Sequence, residues 1–237
     1  MKLKQALAAI FAVAGMSGAY AQSANTFYVT TGWFRLMPQD SSDPLKIDSV
    51  GGTTVNQAFP GTGASVGSAD TLGFSLGYFI TDSLATEAEL GIPPKFDISG
   101  GGSLNQFGKV GSARQWSPAL LLKYYFNKPD AKFRPYLGLG ATYVWFSDAK
   151  ITNAAFEQSV LGGPTSVSTN RSWAPVFNVG FNYNFTKHWF AGFSLSYIPV
   201  NVTATYTSTT ELGTTRKAES KIHLNPLVTY LKVGYMF

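Results

Sequence analysis

Cysteine is absent from all 237 residues, and only 13% of them are charged. Without cysteine there is neither a disulfide framework nor a thiolate metal site, so stability has to come from a hydrogen-bonded fold. The charged fraction is about half that of ordinary soluble domains, while 15% of the residues are aromatic. Something other than water therefore faces much of the surface. Long apolar runs are also missing beyond the first residues. The longest plainly aliphatic block is Ala119-Leu120-Leu121-Leu122, far short of the ~20 residues a spanning helix needs, so no transmembrane helix is expected.

The amino-terminal end sets the compartment. Lys2 and Lys4 precede an apolar run from Ala6 to Gly15, and Ala19-Tyr20-Ala21 is a small-residue cleavage site. These are the parts of a secretory signal peptide, residues 1–21, with cleavage between Ala21 and Gln22. Residues 22–237 are then the mature domain. Loss of Lys2 and Lys4 lowers the formal charge from +5 to +3, which is too slight to point to nucleic acid.

The mature chain alternates apolar and small or polar residues with the period of strands. Leu72, Phe74, Leu76, Tyr78 and Ile80 oppose Gly73, Ser75, Gly77 and Phe79. After Thr81-Asp82-Ser83, a second strand sends Leu84, Thr86, Ala88 and Leu90 one way and Ala85, Glu87 and Glu89 the other. Similar patterns occur at 115–126, 135–145, 173–185, 189–197 and 221–237, and residues 26–37 form a first strand whose two parities are equally apolar. Eight strands result. Short connections at 81–83, 127–132 and 186–188 alternate with long ones at 39–69, 99–112, 147–170 and about 207–217, with a helical turn expected within 153–160. Rings at both ends of nearly every strand, and Gly and Ser on the opposite face, mark a narrow lumen rather than a sandwich. The fold expected is all-β: an eight-stranded antiparallel up-and-down transmembrane β-barrel embedded in outer-membrane lipid, its first strand paired with its last.

The residues Trp116-x-Pro118, Lys123-Tyr124-Tyr125-Phe126, the run Lys132-Phe133-Arg134-Pro135-Tyr136-Leu137-Gly138-Leu139-Gly140, Ser172-Trp173 and the closing Val233-Gly234-Tyr235-Met236-Phe237 resemble the outer membrane protein W (OmpW) family across nearly the whole mature chain. The resemblance implies a barrel of Gram-negative bacteria with a hydrophobic interior that passes small hydrophobic solutes. It also implies that the terminal aromatic serves the barrel-assembly machinery. Tyr235 and Phe237 are placed in the lower aromatic girdle.

Inward charges lie at similar heights: Glu87 five residues after Asp82, Lys123 four before Asn127, Lys232 five before Phe237. An eight-stranded barrel is only wide enough for side chains to fill, so Glu87, Glu89, Lys123 and Lys232 are expected to form a polar network across the lower lumen, with Tyr136, Ser196 and Tyr230 lining it. Mutual neutralisation that stabilises the barrel is its simplest role. With the lower lumen closed, a solute has to leave sideways, and Pro93, Pro94, Pro118 and Pro199 lie on or near strands where each removes a ladder donor. A bend or bulge with no bearing on transport is the simpler account of each. His188 and His223 are unclustered and fit interfacial positions, so no catalytic, metal or cofactor residue is expected. The function expected is passive passage of small hydrophobic molecules through the outer membrane, possible lateral exit included. The alternative is a structural or receptor barrel displaying its loops to phage, bacteriocin or host surfaces.

Overall fold

The computed structural model describes residues 22–39, 41–210 and 212–237; the expected leader, with Ala21, lies outside the described residues. In chain order the strands are β1 (Phe27–Met37), β2 (Ser41–Ser42), β3 (Lys46–Val50), β4 (Thr53–Ala58), β5 (Thr62–Val66), β6 (Ala69–Phe79), β7 (Leu84–Gly91), β8 (Lys95–Gly102) and β9 (Lys109–Trp116). They continue as β10 (Ala119–Tyr125), β11 (Phe133–Ile151), β12 (Thr165–Thr169), β13 (Ser172–Asn184), β14 (Trp189–Tyr197), β15 (Asn201–Thr209), β16 (Thr215–His223) and β17 (Leu227–Met236).

Eight of these close a barrel in the cyclic order β1-β6-β7-β10-β11-β13-β14-β17, every neighbouring pair antiparallel. The closing pair runs from Tyr28 opposite Met236 to Met37 opposite Leu227, so no wall strand is left with an unpaired edge. The outward face is bare and apolar: Leu120 is 60% exposed, Leu139 59% and Phe177 50%. A continuous band of this kind suits hydrocarbon and not water. The register also settles the first strand, whose sequence pattern is ambiguous: Tyr28, Thr30, Phe34 and Leu36 point inward and are buried.

The long connections differ from the expected irregular loops. Most of their length is β-structure standing above the barrel, in two arms. One arm is the sheet β12-β15-β16-β3-β4, and the other continues the wall through β11-β9-β8-β5. The stretch 99–112 is the tip of the β8–β9 hairpin, and 207–217 is the tip of β15–β16. The helical turn at 154–161 does form, capped by Asn153, whose side chain accepts from the Phe156 amide at 2.9 Å. Two expected strands are broken. Residues 115–126 split at Ser117-Pro118 into β9 and β10, and 221–237 splits at Leu224-Asn225-Pro226 into β16, in the upper layer, and β17, in the wall. Pro118 and Pro226 lack the amide a continuous ladder requires, and Asn225 turns through a left-handed φ of 38°.

Candidate functional site

The lumen is divided into a sealed lower part and an apolar upper part. In the lower part, β6, β7 and β10 set Glu87 beside Gly77 and Leu121 in register. Lys123 Nζ lies 2.9 Å from Glu87 Oε2 and 2.9 Å from Glu89 Oε1, and Lys232 Nζ lies 3.2 Å from Glu87 Oε1. The Tyr28 hydroxyl donates to Glu87 Oε2 at 2.6 Å. Glu87, Lys123 and Lys232 side chains are wholly buried, and Glu89 is 10% exposed. Two carboxylates face two ammonium groups, so the cluster is neutral in a place where an unpaired charge is very costly.

Aromatic rings complete the seal. Lys123 and Lys232 both sit against the Tyr136 ring, 5.0 and 5.6 Å from its centroid, and Lys232 is 5.4 Å from that of Tyr230. Tyr28, Phe79, Tyr125, Tyr136 and Phe190 pack with Met236 into one buried cluster. Gly77 makes room for it, because a Cβ there would lie 1.9 Å from Tyr28 Cζ.

Beneath the rings Arg134 is buried, 5.4 and 5.1 Å from the centroids of Phe79 and Tyr125. It donates to the Gln22 carbonyl at 2.6 Å and to the Asp82 carbonyl at 2.5 Å. Gln22 also donates from Nε2 to Asn184 Oδ1 at 2.7 Å. Arg134 escaped notice in the sequence as a lumen residue, although its parity with Tyr136, two residues on, carries that signal.

The structure thus brings Glu87, Glu89, Lys123, Lys232 and Tyr136 together. Tyr230 forms the ceiling of this cluster, stacked on Phe34 with 3.9 Å between centroids and hydrogen-bonded to Thr30 at 2.8 Å. Ser196 stands apart, higher on the wall, accepting from Asn178 Nδ2 at 2.8 Å. Tyr235 and Phe237 are outside the lumen, edge to face at 5.2 Å, and the Phe237 amide donates to the Phe27 carbonyl at 2.9 Å. His188 stacks on Tyr235 at 5.4 Å. His223 lies in the upper layer and not in the last wall strand, its Nδ1 2.6 Å from Asn201 Oδ1. Among the described residues no cluster of three metal-ligating side chains occurs.

Above Tyr230 the lumen widens into a cavity of about 710 Å³, open mouth included, walled by Phe34, Val144, Val176 and Val228. It reaches the barrel wall between Leu90 and Pro94 on one side and Ser117 and Ala119 on the other. There the ladder between β7 and β10 stops at the pair Glu89–Ala119, and the next bond above it is Gln115 N to Pro94 O at 3.1 Å. Pro118 has no amide, and its carbonyl accepts from Tyr143 N at 3.2 Å and Thr142 Oγ1 at 2.9 Å on β11. Pro199 opens nothing comparable: Ile198 N donates to Pro226 O and Val200 N to Asn225 Oδ1, each at 3.2 Å. A second apolar cavity of about 830 Å³ lies between the two upper arms, lined by Phe96, Ile98, Phe156, Tyr206 and Ile222. Gln115 and Pro226 border both cavities. Burial pushes the Tyr206 phenol of this cavity up to about 12.

Residues 24–237 match the family model described as OmpW family. The chain belongs to the OmpW family. Outer membrane protein W of Vibrio cholerae serotype O1 is 29% identical over 99% of this chain and 100% of its own length. The crystal structure of the outer membrane protein OprG from Pseudomonas aeruginosa superimposes with a TM-score of 0.80 at 26% identity, covering 92% of this chain and 98% of that one. A protein of Pseudomonas aeruginosa named for a dibenzothiophene metabolism operon, PahQ, is 25% identical over 76% of this chain and 78% of its own. This family member is likewise an outer-membrane barrel, and lipid covers the apolar band described above.

Proposed function

We propose that the protein passes small hydrophobic molecules across the outer leaflet: they enter between the upper arms, descend into the upper lumen and leave sideways into the membrane between β7 and β10. The observation that carries this reading is the pair of apolar cavities sharing Gln115 and Pro226, the lower of which runs to the wall where the ladder is interrupted. A spanning barrel ordinarily satisfies every backbone group between strands. Here three prolines sit at one seam, so parting the strands breaks few bonds. The buried rings and ion network beneath leave no aqueous route, which suits a solute that prefers lipid to water. An aromatic solute is consistent with the relative named for dibenzothiophene metabolism. Passage needs no bond to be made or broken, so no catalytic group and no cofactor is assigned. Phe237, at the end of the closing strand, is assigned to recognition by the barrel-assembly machinery.

The cysteine-free chain permits a direct test. Gly91→Cys with Ser117→Cys places one thiol on each lip of the seam, two residues beyond the Glu89–Ala119 pair. Joining them with a short bis-thiol crosslinker in proteoliposomes is expected to reduce uptake of a hydrophobic solute to near the empty-liposome baseline, and cleaving the link to restore it. Full uptake through the crosslinked barrel would rule out lateral exit. A barrel that only displays its loops would show baseline uptake before any crosslinking.

A further inference from the structure

A groove at the outer rim, between β11 and β12, has the chemistry of a headgroup site and shares Phe146, Ala149, Val167 and Thr169 with the cavity between the upper arms. It lies where the wall meets the upper layer, holds about 690 Å³ with its open mouth included, and is lined by Trp145, Ser147, Asp148, Ser168, Thr169 and Arg171. Its height follows from the register. Val144 pairs with Ser172 and Tyr143 with Trp173, so Arg171 stands level with Trp145 and about 7 Å above Trp173 along the strand. Trp173 is 74% exposed, and Trp145 stacks on Trp116 with 5.6 Å between centroids. These rings form the outer aromatic girdle, which marks the depth of the lipid headgroups.

Charge is uneven around this rim. On one side Arg35 is paired with Asp70 at 3.3 Å, and Trp33 Nε1 donates to the same carboxylate at 3.0 Å. Next round the rim Lys95 is opposite Arg114, and Arg114 opposite Ser147, which sets Lys95, Arg114 and Arg171 in turn along one arc, Lys95 nearest the Arg35–Asp70 pair and Arg171 farthest from it. Asp148 is neutralised by Arg114 at 3.3 Å. Among the described residues Lys95 and Arg171 have no ion-pair or hydrogen-bond partner. Arg171 is thus an unmatched positive charge beside the hydroxyls and indole of the groove, with Lys95 outside it at the other end of the arc. A guanidinium takes a phosphate in a forked pair of hydrogen bonds, Ser and Thr hydroxyls suit sugar hydroxyls, and an indole offers a flat apolar face to a sugar ring.

We infer that this groove binds the phosphorylated sugar headgroup of an outer-leaflet glycolipid, with Arg171 on the phosphate and Trp145 against the sugar, while Lys95 adds only to the positive potential of the rim. The acyl chains then lie along the apolar wall below, over Tyr143, Trp173 and Leu139. Such a lipid would hold the barrel at a fixed depth and orientation.

The purified full-length protein in detergent is incubated with bisphosphorylated lipid A or its dephosphorylated form, re-isolated, and the retained glycolipid counted by native mass spectrometry. Wild type is expected to retain the phosphorylated form at least ten-fold better than Arg171→Gln, with a smaller loss for Lys95→Gln and none for Arg35→Gln, which is paired with Asp70 and stands three strands from Arg171. A heat-dependent gel shift checks that each variant is folded; Arg171 is exposed and unpartnered, so its replacement leaves the fold intact. Equal retention by wild type and Arg171→Gln, or of the two lipid A forms by wild type, would overturn the assignment. Solute uptake by Arg171→Gln stays at the wild-type level, which separates failure here from failure of the transport reading.

Discussion

Replacing Glu87 by Gln removes one charge from a neutral cluster while keeping its shape. Glu87 touches Lys123 at 2.9 Å and Lys232 at 3.2 Å. At an effective dielectric of about 20 each contact is worth roughly 5–6 kcal/mol of gross attraction. Desolvation of the ions offsets much of this, and deleting one partner of a buried pair typically costs about 3–5 kcal/mol because the other charge is stranded. Lys123 keeps Glu89 at 2.9 Å, so the stranded group in Glu87→Gln is Lys232. The double variant Glu87→Gln with Lys232→Met restores neutrality and leaves the Lys123–Glu89 pair intact. Its loss is expected to fall short of the sum of the two single losses by at least about 2 kcal/mol, near the upper range of couplings for contacting residues. Urea unfolding of the barrel in lipid vesicles, followed by tryptophan fluorescence and gel mobility, measures all four corners of the cycle. Additive losses, or a Glu87→Gln loss under about 1 kcal/mol, would refute the view that the cluster matters through charge balance and leave packing of the rings as the whole seal.

Gly77→Ala should destabilise the barrel by about 1–3 kcal/mol, the usual cost of overpacking, because its Cβ would lie 1.9 Å from the Tyr28 ring that holds Glu87. Gly67→Ala, where a Cβ would meet nothing nearer than the Asp97 carbonyl at an ordinary 3.6 Å, serves as the control, and equal unfolding midpoints for the two variants would contradict the steric account. The third expectation concerns pH. Tyr206 has a phenol raised from 10.0 to about 12 by burial, so its contribution to stability is complete below about pH 10 and is lost as pH rises through about 12. An ultraviolet absorbance titration of wild type minus Tyr206→Phe should isolate a phenol titrating near the upper value; a difference curve centred near 10 would remove burial as the cause.

Much of the wall was legible because its two environments are chemically opposite. Lipid outside and a narrow filled lumen inside force strict alternation, so the facing of Leu72 to Phe79 or of Trp173 to Asn184 follows from parity alone. The facing of strand one was not legible: Val29 and Trp33 face lipid while Tyr28 and Phe34 fill the lumen, and alternation vanishes when both sides are apolar. The upper layer was hidden for the opposite reason. All six residues of β4 are exposed, so neither face leaves an apolar signature, and the hairpin turn at Gly51-Gly52, with φ of 59° and 82°, resembles loop composition. The break at Asn225-Pro226 was masked because β16 and β17 each alternate, and their patterns join without a change of phase.

The sequence by itself determined the class of the molecule. A low charge content, absent cysteine, absent helical spans and seven alternating segments beside an eighth of strand-forming residues leave a lipid-embedded barrel as the consistent fold, since local pattern reports directly on which solvent each face meets. Tertiary structure decided what the lumen is. That Arg134 reaches back to Gln22 and that two upper arms enclose an apolar cavity both depend on strand register and closure. These are long-range contacts, and one-dimensional periodicity carries no information about which strand lies across the barrel from which.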